Sequence, residues 1–233
     1  MRLDPAGETA LLASYGITGA RLPDHPPSLP LWLVTVAQAP HPAAIGLLPT
    51  SEAERAARFR SPALRDRYVA GHAALRLLAE HGFGVPVARQ HWVANAWGKP
   101  ALADVPDAQC SLSYTTDHAL LAWSEGEEIG IDIEAARSIE DAWDLAELHY
   151  TPGERALLAE ARCSPGAFDR TFLSIWTRKE ACLKAVGRGL DIPPSTFECL
   201  SDPAIAVPVG DRMVCTGIVP SCDGLLVAWA RCS

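Results

Sequence analysis

Two short stretches of this chain hold acids and bases at spacings that could act together. In Gly130-Ile-Asp-Ile-Glu134, a strand's period of two puts Gly130, Asp132 and Glu134 on one face and Ile129, Ile131 and Ile133 on the other. Acids are depleted in strands, so two on one face beside a glycine need a reason. Either the face is a solvent-facing sheet edge, or it is a divalent-cation site. Mg²⁺ takes a few carboxylates and fills its octahedron with water and phosphate oxygens. About 45 residues later comes Trp176-Thr-Arg-Lys-Glu-Ala-Cys-Leu-Lys-Ala-Val-Gly-Arg-Gly-Leu190. Glu180 and Lys184 are four apart and share one helix face, which taken alone is a surface ion pair.

These residues need a helix and a sheet to hold them. Ser164-Pro165 is an N-cap with proline at the first helical position. Phe168, Phe172, Ile175 or Trp176, Lys179, Leu183 and Val186 then recur at helical spacing to a stop at Gly187. Upstream, residues 1–30 read as an irregular lead-in and Leu31–Val36 as a strand. Ser51 with Glu54 predicts a capping box for a helix to about Arg60. Ser61-Pro62 opens a longer helix that buries Leu64, Tyr68, His72, Leu75 and Leu78 and ends at Gly82. His72 reads as a satisfied core histidine. A strand over 89–94 leads to the turn Asn95–Pro100 with an exposed Lys99. Cys110–Tyr114 is a strand, and His118–Ser124 and Ile129–Glu134 pair as a hairpin around Glu125–Glu128. Ser138 caps a helix to about Leu148, and Thr151-Pro-Gly-Glu154 is a capping box that gives Glu154 a structural task. Phe197–Leu200, Ala204–Val209, Met213–Val219 and Leu225–Ala230 read as a meander. The fold class is α+β, in two similar lobes, each a small, mostly antiparallel sheet packed with helices, dividing into 1–128 and 129–233.

Composition narrows the classes of function. The chain has 233 residues, 48% hydrophobic and 21% charged, as soluble globular proteins do. A net charge of −8 argues against nucleic acid as a partner. Within it, Arg55, Arg58, Arg60, Arg65 and Arg67 face the single acid Asp66, a local +4 able to grip a phosphorylated ligand. Seven cysteines form an odd number without CxxC pairs or zinc spacing, and most of them read as buried thiols, Cys182 included. No apolar run reaches the roughly 18 residues that span a bilayer, and no signal core opens the chain. The expectation is a cytoplasmic protein with no membrane partner.

The pairing of Gly130-Ile-Asp-Ile-Glu134 with Trp176-x-x-Lys-Glu-x-x-x-Lys184 and Gly187-Arg-Gly-Leu190 resembles the 4'-phosphopantetheinyl transferases of the larger, two-lobed Sfp-like type. Gly98-Lys-Pro100, Ser111-Leu-Ser113 and the Arg67 helix support it, in the family's order, over about residues 31–230. The resemblance implies a transferase of secondary metabolism that moves the phosphopantetheine arm of coenzyme A to a serine of an acyl or peptidyl carrier protein. Adenosine 3',5'-bisphosphate would be released. Asp132, Glu134 and Glu180 would hold Mg²⁺, with Mn²⁺ as the other candidate ion. Glu180 would take the serine's proton and Lys184 would stabilise charge on the leaving phosphate. For coenzyme A, the family pattern falls on Arg55, Arg67, Lys99, Ser113, position 114 and Lys184, with Lys179 facing coenzyme, carrier or solvent. Position 114 departs from the family's histidine. Tyr114 carries no positive charge at neutral pH, which predicts weaker 3'-phosphate recognition or compensation by a neighbouring arginine. The two-lobed length implies a monomer.

Two other readings use the same residues. A catalytically silent coenzyme A binding protein of the same fold has only Tyr114 in its favour. A different metal-dependent phosphoryl or nucleotidyl transferase has no P-loop or G-x-G-x-x-G loop to support it.

Overall fold

A computed structural model describes residues 4–22, 29–36, 39–164, 166–200, 204–222 and 224–232. The fold is α+β: two antiparallel sheets packed with helices, in two compact units, 1–93 with 100–125, and 94–99 with 126–233.

In the first unit the lead-in is not irregular. Helix α1 (Pro5–Ala13) is capped by Asp4, which accepts from the Ala6 N–H at 3.1 Å, and β1 (Thr18–Arg21) follows. Strand β2 (Leu31–Thr35) matches the sequence expectation. After α2 (Pro42–Ile45), α3 (Thr50–Ala57) starts at Pro49 without a side-chain cap, so Ser51 lies inside the helix and forms no capping box. In α4 (Pro62–Phe83), Ser61 Oγ accepts from the Leu64 N–H, as the pattern predicts. The helix passes Gly82 and ends at Gly84, φ +70°. A helical glycine costs only about 1 kcal/mol, and one further residue seats Phe83 edge-on to Trp123, ring centres 5.3 Å apart. Tyr68, Leu75 and Leu78 are buried, but Leu64 is exposed. Strands β3 (Trp92–Ala94), β4 (Pro100–Leu102), β5 (Ala108–Thr115) and β6 (His118–Glu125) complete a sheet of order β1-β2-β6-β5-β4-β3.

The expected hairpin between the segments before and after Glu125–Glu128 does not form. Strand β6 pairs with β5 on one side and β2 on the other, so neither edge is left for β7 (Ile129–Ala135). That strand opens the second sheet, of order β7-β10-β9-β8, with β8 (Ala204–Val209), β9 (Arg212–Cys222) and β10 (Leu225–Cys232). The two sheets thus differ in strand number, six against four.

Three helices pack in the second unit. Helix α5 (Ala142–His149) starts after Asp141 and not at Ser138, because the Ile139 N–H is held by Asp169 Oδ1 at 3.1 Å instead. Helix α6 (Pro152–Ala161) has the full capping box between Thr151 and Glu154. Helix α7 (Ala167–Val186) begins after Gly166 (φ +73°), not at Ser164; the expectation for Pro165 lies outside the described residues. It ends at Gly187, φ +74°, as its sequence predicts. Phe197–Leu200 is not a strand. Its backbone groups bond to buried side chains instead, Cys199 N–H to Glu154 and Phe197 C=O to Lys179.

Candidate functional site

Strand β7 is the edge of its sheet, yet both its faces are covered. Ile129, Ile131 and Ile133 are buried, and the Gly130–Asp132–Glu134 face lies under α7. Glycine at 130 is what permits this. A Cβ there would stand 2.0 Å from Ala181 O and 2.2 Å from Ala185 N, backbone atoms of the helix. The strand and the helix therefore meet backbone to backbone at the level of the acids. A solvent-facing edge is ruled out for Asp132, which is only 6% exposed.

Lys184 reaches from α7 to Asp132, Nζ to Oδ1 2.7 Å. Glu134, at the open end of the strand, pairs with Arg137 at 2.6 Å. Glu180 is half-buried one turn before Lys184, and its side chain makes no hydrogen bond or ion pair with the described residues. Burial pushes its carboxyl up, opposed by the Lys184 ammonium and reinforced by the negative charges of Asp132 and Glu134. The surface ion pair expected from spacing alone is thus a cross-element contact: Lys184 bonds Asp132, not Glu180. The two motifs come together as one acidic face with a lysine in it.

Such an oxygen-only set is the chemistry a hard divalent cation takes. As the side chains stand, however, Asp132 and Glu134 each hold a cationic side chain. Among the described residues no group of three acids, histidines or cysteines is arranged to hold a metal ion.

Two expectations about lysines are corrected. Lys179 does not face solvent. It is 1% exposed, with Nζ 2.8 Å from Glu154 Oε2 and donating to the carbonyls of Pro194 (2.7 Å) and Phe197 (2.5 Å). Lys99 is not an exposed turn lysine. It is half-buried and donates to the Ala185 carbonyl at 2.7 Å, while Asn95 Nδ2 donates to the Gly187 carbonyl at 2.7 Å. Asn95 Oδ1 also accepts from the N–H groups of Trp97 and Lys99, which folds the turn around it. The Asn95–Lys99 turn therefore caps the last carbonyls of the helix that carries Glu180 and Lys184.

Sequence reasoning missed these anchors. A signal for the first was present, since Lys179 recurs in the apolar stripe with Phe172 and Leu183. Nothing in the sequence linked Asn95 to Gly187, 92 positions on.

The remaining candidates lie in the first unit. Arg67, on α4, donates to the Thr116 carbonyl at 2.6 Å and lies over the Tyr114 ring at 5.3 Å. Thr116, in the tight turn after β5, is a non-glycine residue with positive φ, +34°. Tyr114 packs beside Gly71, where a Cβ would stand 2.7 Å from its hydroxyl, and that hydroxyl is buried without a hydrogen-bond partner. Burial raises the phenol well above its usual range. Ser113 is buried in β5, and Arg55 lies over the Tyr68 ring at 5.5 Å. His72 stacks on Tyr68 and bonds Glu52 through Nδ1 at 3.0 Å, satisfied as expected. Within the basic run, Arg65 pairs with Asp66 at 2.9 Å. Of the six cysteines whose side chains are described, Cys110, Cys182, Cys199 and Cys232 are buried free thiols, Cys215 is half-buried and Cys163 is exposed. No described helix is long and apolar enough to cross a membrane.

Residues 128–217, which include both motifs, match the family model of the 4'-phosphopantetheinyl transferase superfamily. The chain is 35% identical over 147 residues to the 4'-phosphopantetheinyl transferase HetI of Nostoc sp. (strain PCC 7120), 61% of each chain. It is 26% identical over 145 residues to the 4'-phosphopantetheinyl transferase Sfp of Bacillus subtilis (strain 168), 62% of each. With a phosphopantetheinyl transferase of Thraustochytrium sp. it shares 29% over 181 residues, 71% of this chain and 63% of that one. The match with the first two relatives spans less than two thirds of their length. The resemblance drawn from the two motifs is borne out over the segment that carries them.

Proposed function

We propose that this protein is a 4'-phosphopantetheinyl transferase, moving the phosphopantetheine arm of coenzyme A to a serine of an acyl or peptidyl carrier protein and releasing adenosine 3',5'-bisphosphate. The observation that carries the reading is the meeting of Asp132 and Glu134 with Glu180 and Lys184 where β7 touches α7. The family match over the same residues supports it.

Each side chain has a task it is chemically fit for. Glu180, on the same face as Lys184, would accept the proton of the attacking serine hydroxyl. Lys184 would place a positive charge against the departing phosphate. Asp132, Glu134 and Glu180 would hold Mg²⁺ or Mn²⁺ in place of the cationic side chains that now neutralise two of them. The ion would supply charge neutralisation at the pyrophosphate without a proton transfer. In the lobe of residues 1–128, Arg67 over Tyr114 would supply the positive charge that tyrosine lacks, with Arg55 and Ser113 as further phosphate contacts. In residues 129–233 would lie the metal site and the catalytic helix. Lys99 would reach a coenzyme phosphate only by leaving the Ala185 carbonyl.

The test is release of adenosine 3',5'-bisphosphate from coenzyme A, followed by chromatography, with an apo carrier present or absent. Release that requires both the carrier and a divalent ion, and stops with a chelator, is the expected result. Carrier-independent release would point to a pyrophosphatase instead.

A further inference from the structure

A buried, hydrogen-bonded ion pair of the second unit joins Lys179, the residue before Glu180, to Glu154, and it lies outside the machinery described above. Lys179 and Glu154 are 1% and 0% exposed, and their charges are 2.8 Å apart. The lysine's three protons go to Glu154 Oε2, the Pro194 carbonyl and the Phe197 carbonyl, with the Phe197 ring 4.6 Å away. The glutamate also accepts from the Thr151 N–H at 2.9 Å and the Cys199 N–H at 2.7 Å. One point on α7 is thus tied at once to the start of α6 and to both ends of the 194–199 segment. Well-packed apolar residues hold helices together at lower desolvation cost, so a buried ion pair is weak evidence for a contribution to stability.

We propose that Lys179 and Glu154 are positioning residues for the transfer reaction: the pair fixes the rotation of α7 about its own axis and so the placement of Glu180. This rests on the transferase reading above. Apolar packing resists separation of a helix from its neighbours but yields to rotation more readily than a three-way hydrogen-bonded ammonium does. Glu180 is the next residue, so any turn at Lys179 is passed on to it undiminished. A carboxylate roughly 6 Å from a helix axis travels about 1 Å for a rotation of about 10°. A displacement of that size costs on the order of a hundredfold in rate when it falls on a reacting group. Coenzyme affinity, spread over many contacts, would change little.

The test compares wild type with the double variant Glu154→Gln/Lys179→Met. Replacing a buried pair with neutral residues of similar size is the change most compatible with folding. The assay is steady-state transfer to an apo carrier, well below the melting temperature of both proteins, with folding checked by circular dichroism. Positioning predicts a kcat lowered by about 10- to 100-fold with the coenzyme KM within about threefold of wild type. A folded double variant with kcat within twofold of wild type overturns the proposal and leaves the pair a matter of stability. If the double variant does not fold, Glu154→Asp, which keeps both charges but draws the carboxylate back by one methylene, is held to the same split. Wild-type protein inactive on every carrier would instead sink the transferase reading, and this inference with it. Active wild type with an equally active variant sinks this inference only.

Discussion

Replacing Gly130 with alanine tests the contact on which the whole site depends. The added methyl would stand 2.0 Å from Ala181 O, 2.2 Å from Ala185 N and 2.8 Å from Lys184 C, where ordinary contact begins at 3.4 Å. All three are backbone atoms of α7, so no side chain can swing aside. The helix must retreat from β7 by roughly 1 Å or more, and overpacking of this kind costs about 3 kcal/mol. For a chain of this length that is a fall in melting temperature of roughly 6–12 °C. The same retreat separates Glu180 and Lys184 from Asp132 and Glu134, and a 1 Å misplacement is worth on the order of a hundredfold in rate. Differential scanning calorimetry and a transfer assay on the folded variant measure the two effects. A Gly130→Ala protein that melts within about 2 °C of wild type and keeps half its activity would show that strand and helix do not meet as described.

Other perturbations have distinct signatures. Lys179→Ala leaves Glu154 charged, buried and unpaired, and should cost about 3–5 kcal/mol by chemical denaturation. Glu52 has its carboxyl lowered: burial raises it, but the His72 hydrogen bond and charge and the Arg76 guanidinium together outweigh that. A lowered acid contributes stability above its unfolded value of about 4.5 and loses it as pH falls through the folded value. Melting of wild type should therefore exceed that of Glu52→Gln at pH 7, and the gap should close below about pH 4. Tyr114→Phe removes a buried hydroxyl that has no partner, so stability should hold or rise by about 1 kcal/mol. If Arg67 compensates for Tyr114, Arg67→Met should narrow the preference for coenzyme A over dephospho-coenzyme A; an unchanged ratio would remove Arg67 from the 3'-phosphate site.

Local signals carried some of this structure and tertiary contacts the rest. The α7 stripe, its Gly187 stop and the Thr151–Glu154 box depend on neighbours in sequence, and each is present as its pattern predicts. The face of β7 bearing Gly130, Asp132 and Glu134 was legible from a period of two. What that face meets was not. The partner of β7 is β10, about a hundred residues on, because β6 was already paired on both edges. Lys179 shows the limit most plainly: an ammonium in an apolar stripe reads as ambiguous until Glu154 and two carbonyls are seen around it. The Asn95 and Lys99 caps on α7 likewise depend on contacts some 90 positions apart.

The most direct measurement of the central claim is the mass of an apo acyl or peptidyl carrier protein after incubation with this protein, coenzyme A and Mg²⁺. The account predicts a gain of one phosphopantetheine with wild type and none with Glu180→Gln, although that variant still binds coenzyme A. No gain with any of several carriers, in the presence of tight coenzyme A binding by wild type, would contradict it.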